Sequence, residues 1–233
     1  TAEISGALPY GFVYVDGTLR LTGDTGIVAG SVYLGPNASL DTCFVPGEGP
    51  GTGNNQCGNG RSLTIRAGGS VVLTPAVDLT GGQGATQAGG SLDISGAGVT
   101  VGGAINTSGV GGAASGAVSI SSTAGADVAG TITAPSAPVR ISAAGDLQLG
   151  GDISTFGTAA TPLPASYQAQ GGGAVDLSSS GGNVAVGGNI VASGRDQGAG
   201  ALYGGPAAPV TISGGQVRVG NIDTTGGSST DHD

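Results

Sequence analysis

The chain has no methionine and no tryptophan among its 233 residues, and all six of its basic residues are arginine. Fifteen acidic residues set against those six leave a net charge of −9. That balance supplies no basic stripe to neutralise nucleic-acid phosphates, and it disfavours attraction to anionic lipid as well. No apolar run approaches the roughly 20 residues of a membrane helix, so no membrane insertion is expected. Charged residues amount to only 9% while 38% are hydrophobic, which is not the charge-rich, apolar-poor composition of a disordered chain. What is abundant is Gly, Ala, Ser, Thr, Val and Ile, a mixture suited to short strands and tight turns rather than long helices.

Cysteine is scarce too. Cys43 and Cys57 flank a polar, Gly-rich stretch, and in an oxidising compartment they predict a disulfide at the base of a surface loop. Two free thiols are the alternative, and two thiolates with no nearby His make an incomplete metal site. The chain starts at Thr1 without a signal-like segment, which fits a secreted product that has lost its leader, or a recombinant fragment.

An internal repeat organises the rest. An apolar–polar–apolar frame occurs six times: Leu63/Ile65, Leu92/Ile94, Val118/Ile120, Val139/Ile141, Val175/Leu177 and Val210/Ile212. This is the period of a strand with one buried face. A second pair follows each time (Val71/Leu73, Val99/Val101, Ala126/Val128, Leu147/Leu149, Val184/Val186, Val217/Val219), and then a single site: Val77, Ile105, Ile132, Ile153, Ile190, Ile222. From the first apolar residue to that single site the offsets are 14, 13, 14, 14, 15 and 12. Before Cys43 the same frame is looser, with Val13/Val15, Leu19/Leu21 and Ile27 as one unit and Val32/Leu34 with Leu40 beginning another. A single unit cannot bury its five apolar side chains or pair its strand edges, so units must stack. The expectation is an all-β solenoid with three strands per coil and about eight coils, a rod roughly 40 Å long at about 4.8 Å per coil. A β-sandwich of hairpins would not hold such constant offsets.

The whole of residues 1–233 reads as one domain, with irregular coils over 1–60 and regular repeats over 61–233. The step from each single site to the next unit is far less regular. It is shortest from Ile132 to Val139 and longest from Ile153 to Val175, so every insertion enters at one corner. The most compact coil runs from Val118 to Val139 and sets the expected minimum for one turn of the solenoid. The inserted loops would form a ridge along one edge of the rod, where a binding function would normally lie.

Stretches such as Ala104–Ala113 (AINTSGVGGA) and Gly220–Gly227 (GNIDTTGG) read as a strand followed by a Thr/Ser-Gly-Gly loop. In these the chain resembles the right-handed parallel β-helix repeats of secreted bacterial surface proteins, the filamentous-haemagglutinin-like and autotransporter-passenger adhesins. The resemblance covers most of Ser62–Gly227. It implies a right-handed β-helix, surface display, and adhesion or assembly; it brings no catalytic residues and no cofactor.

β-Helices also host enzymes that cleave polysaccharides, which need paired carboxylates or a carboxylate-bound cation with a base. Asp93, Arg140 and Asp176 share the first face, but Ser119 separates the first two, and Arg140 with Asp176 reads as a surface ion pair. A glycan-contacting ridge has better material: Phe156, Tyr167 and Tyr203 lie in the long loops with Gln168, Gln170, Arg195 and Asp196, unless the rings only pack those loops down. Neither outward column makes the Thr ladder of an ice-binding face. Gly81–Thr86 lacks the Asp of a calcium-binding nonapeptide, and His232 reads as a solvated tail. Asn37 and Asn106 head glycosylation acceptors.

The sequence therefore predicts a non-enzymatic, extracellular structural protein: a surface-displayed adhesin or a filament subunit that stacks end to end. Its expected partners are copies of itself or a host or matrix surface, with no metal. The alternatives are a glycan-binding or glycan-cleaving β-helix working through the ridge, and a passive spacer in a giant adhesin. Little near Thr1–Leu8 resembles a cap, and the last frame ends in a ridge loop, which fits either a piece of a longer solenoid or a self-stacking subunit.

Overall fold

A computed structural model of the chain describes residues 2–42, 58–82, 86–158, 169–196 and 203–228. Among them are strands, turns and loops, and no helix. From Leu63 onward, every third strand pairs in parallel, building three ladders. The first ladder runs through Leu63–Ala67, Leu92–Gly96, Val118–Ser122, Val139–Ala143, Val175–Ser179 and Val210–Ser213. The second runs from Val71–Leu73 to Val217–Arg218, and the third from Val77–Asp78 to Ile222–Asp223. The long strand Thr18–Leu34 pairs with both Leu63–Ala67 and Val71–Leu73 and so joins the first two ladders into one sheet of 15 strands; the third is a sheet of six.

Equivalent apolar residues meet in register. Ile94, Ile120, Ile141 and Leu177 succeed one another along the first ladder, each no more than 1% exposed. Leu73, Val101, Val128 and Leu149 do the same on the second ladder and Val77, Ile105, Ile132 and Ile153 on the third, all buried. The core is thus one continuous stack of Val, Ile and Leu running the length of the assembly.

The N-terminal levels depart from the frame expected of them. Two long strands, Ala2–Val15 and Thr18–Leu34, each run unbroken through what later levels divide into separate strands. Val13 and Val15 pair with Val32 and Leu34, and these with Val71 and Leu73, so they belong to the second ladder and not the first. Ile27 pairs with Ile65 and belongs to the first ladder, not the third. Leu19 pairs with Leu40, and Thr42 Oγ1 donates to the Asp78 carbonyl at 2.6 Å, which sets this segment beside the third ladder rather than the second. Gly6 pairs with Thr25, which makes this level two positions shorter than the Val118-to-Val139 coil expected to be the minimum. The frame shifts because apolar alternation says which side of a strand is buried but not which ladder the strand joins. Counting Gly6–Tyr10 and Thr25–Ala29 with the six later strands, the first ladder holds eight levels.

Two devices turn the corners. Between the second and third ladders a column of glycines (Gly103, Gly130, Gly151, Gly188) lets successive backbones approach closely. A Cβ on Gly151 would lie 2.7 Å from the Gly130 carbonyl, a separation real side chains do not adopt. Gly151→Ala must therefore push two levels apart and is expected to cost about 1–3 kcal/mol. Thermal unfolding measures this, and an unchanged melting temperature would show that the corner has slack. The second device is a side-chain relay. Asp152 Oδ1 accepts the Asn189 N–H at 2.7 Å, and Asn189 Oδ1 accepts the Asn221 N–H at 3.3 Å. Asp146, Asn183 and Gln216 repeat the relay at the other corner, at 2.8 and 3.0 Å.

The longer connections all leave after a third-ladder strand, as their spacing predicts. They also bond to one another from level to level: Gly81 N–H to Ser108 O at 3.0 Å, Gly157 N–H to Ser193 O at 3.0 Å, Gly194 N–H to Thr225 O at 2.9 Å. The shortest connection turns through Ser136 in the left-handed region, φ 57°.

Candidate functional site

The ridge arises because the third-ladder strands end in Gly-rich segments with no apolar alternation, so their backbones must pair with the neighbouring loop or with water. The Arg195 N–H donates to Gln170 O at 3.2 Å, and Gly205 N–H donates to Arg195 O at 2.8 Å. Ala169 N–H donates to Tyr203 O at 3.0 Å. The structure thus brings Gln170, Arg195 and Tyr203 together through their backbones. Phe156 precedes Gly157, whose Cα faces the Gln170 carbonyl. Phe156 is 39% exposed and Tyr203 is 61% exposed. Gln170 does not reach outward for a ligand: its Oε1 accepts the Thr158 hydroxyl at 2.7 Å. Tyr167 and Gln168 lie outside the described residues, as do the Cys43–Cys57 pairing and His232.

Asp196 is a loop lock. One carboxylate oxygen accepts both the Ser228 N–H at 2.8 Å and its hydroxyl at 2.9 Å. These bonds, with a smaller contribution from the Arg195 charge, hold its pKa below the ordinary 3.8. Asp223 is lowered in the same way, first by the Thr225 N–H and then by its hydroxyl at 3.0 and 2.9 Å. The nearby Ser193 hydroxyl adds a weaker pull, outside well-formed hydrogen-bond geometry. Groups with depressed folded pKa values stabilise above their unfolded pKa and lose that contribution as pH falls through the folded one. The Thr225 and Ser228 amides are therefore expected to keep their protection at pH 3.8, where an ordinary Asp is half protonated, and to lose it only at lower pH, ahead of the ladder amides. Hydrogen exchange followed by NMR across the acid range tests this; loss of protection already at or above pH 3.8 would contradict it.

On the first face the register sets Arg140 beside Asp176 as expected. Among the described residues, however, the ion pairs are Arg66–Asp93 at 3.5 Å and Arg20–Asp41 at 3.3 Å, and Arg140–Asp176 is not one of them. The outward column next to it is a run of aligned serines: Ser95, Ser121, Ser142, Ser178 and Ser213. The aligned frames Ile94, Ile120, Ile141, Leu177 and Ile212, each followed by Ser, already carry this column in the sequence.

The second face holds an arrangement that loop-by-loop reading of the sequence misses. Tyr14 and Tyr33 pair in register, and their rings stack parallel with centroids 5.4 Å apart. Beside them Phe12 is 60% exposed. The same outward column continues through Val72, Thr100, Asp127, Gln148 and Ala185 to Arg218. Two shallow depressions follow one another along this face as a trough, one lined from Ser70 to Gln148 and one from Asp146 to Arg218, with Asp146 and Gln148 lining both; Tyr14 and Tyr33 lie beyond its Ser70 end.

Of the two glycosylation acceptors, Asn37 is exposed, with its amide 3.4 Å from Asp16 Oδ2. Asn106 instead accepts the Ser108 hydroxyl at 2.6 Å and its N–H at 3.1 Å. Among the described residues, no group of three or more His, Cys, Asp or Glu could hold a metal ion, and no helix is long and apolar enough to cross a membrane. No protein-family model matches the chain, and no curated protein and no solved structure match it.

Proposed function

We propose that the chain is an extracellular structural protein: a right-handed parallel β-helix of three strands per coil that self-associates end to end at a bacterial surface. Right-handedness follows the rule for parallel crossover connections. The proposed family type is that of the filamentous-haemagglutinin-like and autotransporter-passenger adhesins, on the strength of the strand and Thr/Ser-Gly-Gly loop repeat.

The observation that carries the reading is the state of the level Val210–Asp223. Val217 and Ile222 are each 48% exposed, whereas Val184 and Ile190, their register partners one level below, are 1% and 0% exposed. Among the described residues nothing pairs with the outer edge of this level. Its corner residues Gln216 and Asn221 stand where Asn183 and Asn189 accept an N–H from the level that follows. Apolar side chains, strand edges and corner acceptors are all set for one more level, which a longer chain would supply by continuing and which, in the reading proposed, a second copy supplies. Negative-stain electron microscopy with sedimentation velocity over a concentration series tests this. Elongating rods that lengthen with concentration support it, and monodisperse short rods at every concentration would sink it.

A second reading, glycan contact or cleavage through the ridge, is favoured by the exposed rings of Phe156 and Tyr203. Turnover on a polysaccharide panel that disappears in Arg140→Ala or Asp176→Ala would move the function to that reading.

A further inference from the structure

We propose that the second face is a binding track for a linear, uncharged polysaccharide, with Tyr14 and Tyr33 as its aromatic end and Thr100, Asp127, Gln148 and Arg218 as its polar length. This is a different site from the ridge, and it does not depend on end-to-end association.

The geometry limits what can lie there. Ladder pairing repeats the outward column at every level, at the roughly 4.8 Å spacing of strands, so a matching ligand is extended and regular along the rod. The trough runs parallel to that column, bordered by Asp146 and Asn183. These two are held by the corner relay at 2.8 Å, so the border is already ordered before anything binds. An extended peptide has little to grip along the track, because among the described residues its backbone groups from Val71 to Val186 are spent in the parallel ladder and the open edge lies only at the end, at Val217–Arg218. Polyanions are repelled by Asp127 and Asp146 and by the net charge of −9.

What the face does offer is ring surface beside a line of hydroxyl, carboxylate, amide and guanidinium groups. Tyr14 is 59% exposed, and its stacking on Tyr33 fixes both rings, so little side-chain entropy is lost on binding. A polysaccharide presents the complement: apolar sugar faces for the rings and hydroxyls along its whole length for donors and acceptors. A membrane surface would require a broader apolar face rimmed with cations, and Arg218 is the only cation in the column.

Native affinity electrophoresis suits this acidic chain, which migrates without added charge. The probes are hydroxyethyl cellulose, galactomannan and laminarin cast into the gel, with dextran sulfate as the polyanion. At least one neutral glycan is expected to retard the protein. Tyr33→Ala and Gln148→Ala are each expected to raise the apparent dissociation constant, about tenfold for the tyrosine, while Tyr203→Ala leaves it unchanged. Circular dichroism checks that each variant folds; should Tyr33→Ala fail, Gln148→Ala and Arg218→Ala, both at exposed positions, decide the matter. No retardation by any neutral glycan, retardation by dextran sulfate alone, or retardation lost in Tyr203→Ala but kept in the track variants would each overturn the proposal.

Discussion

Ile141→Asp is expected to abolish the cooperative thermal transition of the whole chain, as followed by far-ultraviolet circular dichroism. Ile141 is 1% exposed and sits between Ile120 and Leu177 in register, with Val139 and Ala143 of its own strand also buried. A carboxylate there has no partner above, below or beside it. Protonation lets the protein avoid the full cost of burying a charge, but an unpaired buried carboxyl still costs several kcal/mol, on the scale of a typical domain's entire stability of about 5–15 kcal/mol. Ile141→Ala, which only leaves a cavity, should cost about 2–5 kcal/mol and keep a single, earlier transition.

The stacked architecture makes the position of the insult matter. Each level touches only its neighbours, so a broken central level uncouples those on either side. Ile212→Asp changes the same ladder site in the level Val210–Asp223, where Ile212 is only partly buried. That variant should melt within a few degrees of the parent chain. Equal losses for Ile141→Asp and Ile212→Asp would mean that the stack is one globular core and not a chain of nearest-neighbour levels.

The six regular levels are legible in the sequence because three independent signals agree: apolar alternation, constant offsets and paired glycines at the corners. From Leu63 to Ile222 the expected strands pair as expected, except that the last second-ladder strand stops at Arg218 and leaves Val219 unpaired with Val186. The N-terminal levels are not legible, since only alternation remains there. Val13 and Ile27 stand at the same offset as Leu63 and Val77 in the regular units, yet they belong to different ladders. One misplaced ladder hides the tyrosine pair's place on the second face, because that offset sets Tyr14 on the first face, away from Thr100 and Gln148.

The ridge is legible as a place but not as a surface. Loop lengths say where chain protrudes; they do not say that Gln170 turns to Thr158 or that Asp196 turns to Ser228. Such short side-chain bonds are set by loop backbone geometry, for which irregular Gly-rich sequence carries no period. The exposed serine column is present in the sequence, just beyond the second apolar residue of each first-ladder frame, where alternation alone gives no reason to look.

Val217→Asp combined with Ile222→Asp is expected to stop end-to-end association while leaving each subunit folded. Both side chains are already 48% exposed, so charging them costs the isolated subunit little. In a stacked pair they would be buried against the Gly6–Val15 level of the next copy, where Val13 and Val15 hold the same second-ladder positions as Val217 and Val219. Two unpaired carboxylates in that contact cost several kcal/mol, enough to weaken association by about a thousandfold or more. Such a contact is head to tail: the surface used on one copy differs from that used on the next, so nothing closes the assembly and it grows as a rod. Asn221→Ala should act more gently, removing one corner acceptor and leaving the apolar surface intact. Sedimentation velocity separates the outcomes. A double variant that remains monomeric with a nearly unchanged melting temperature supports stacking through this level. One that assembles with the concentration dependence of the parent chain places the contact elsewhere and removes the reason for reading the exposed level as an interface.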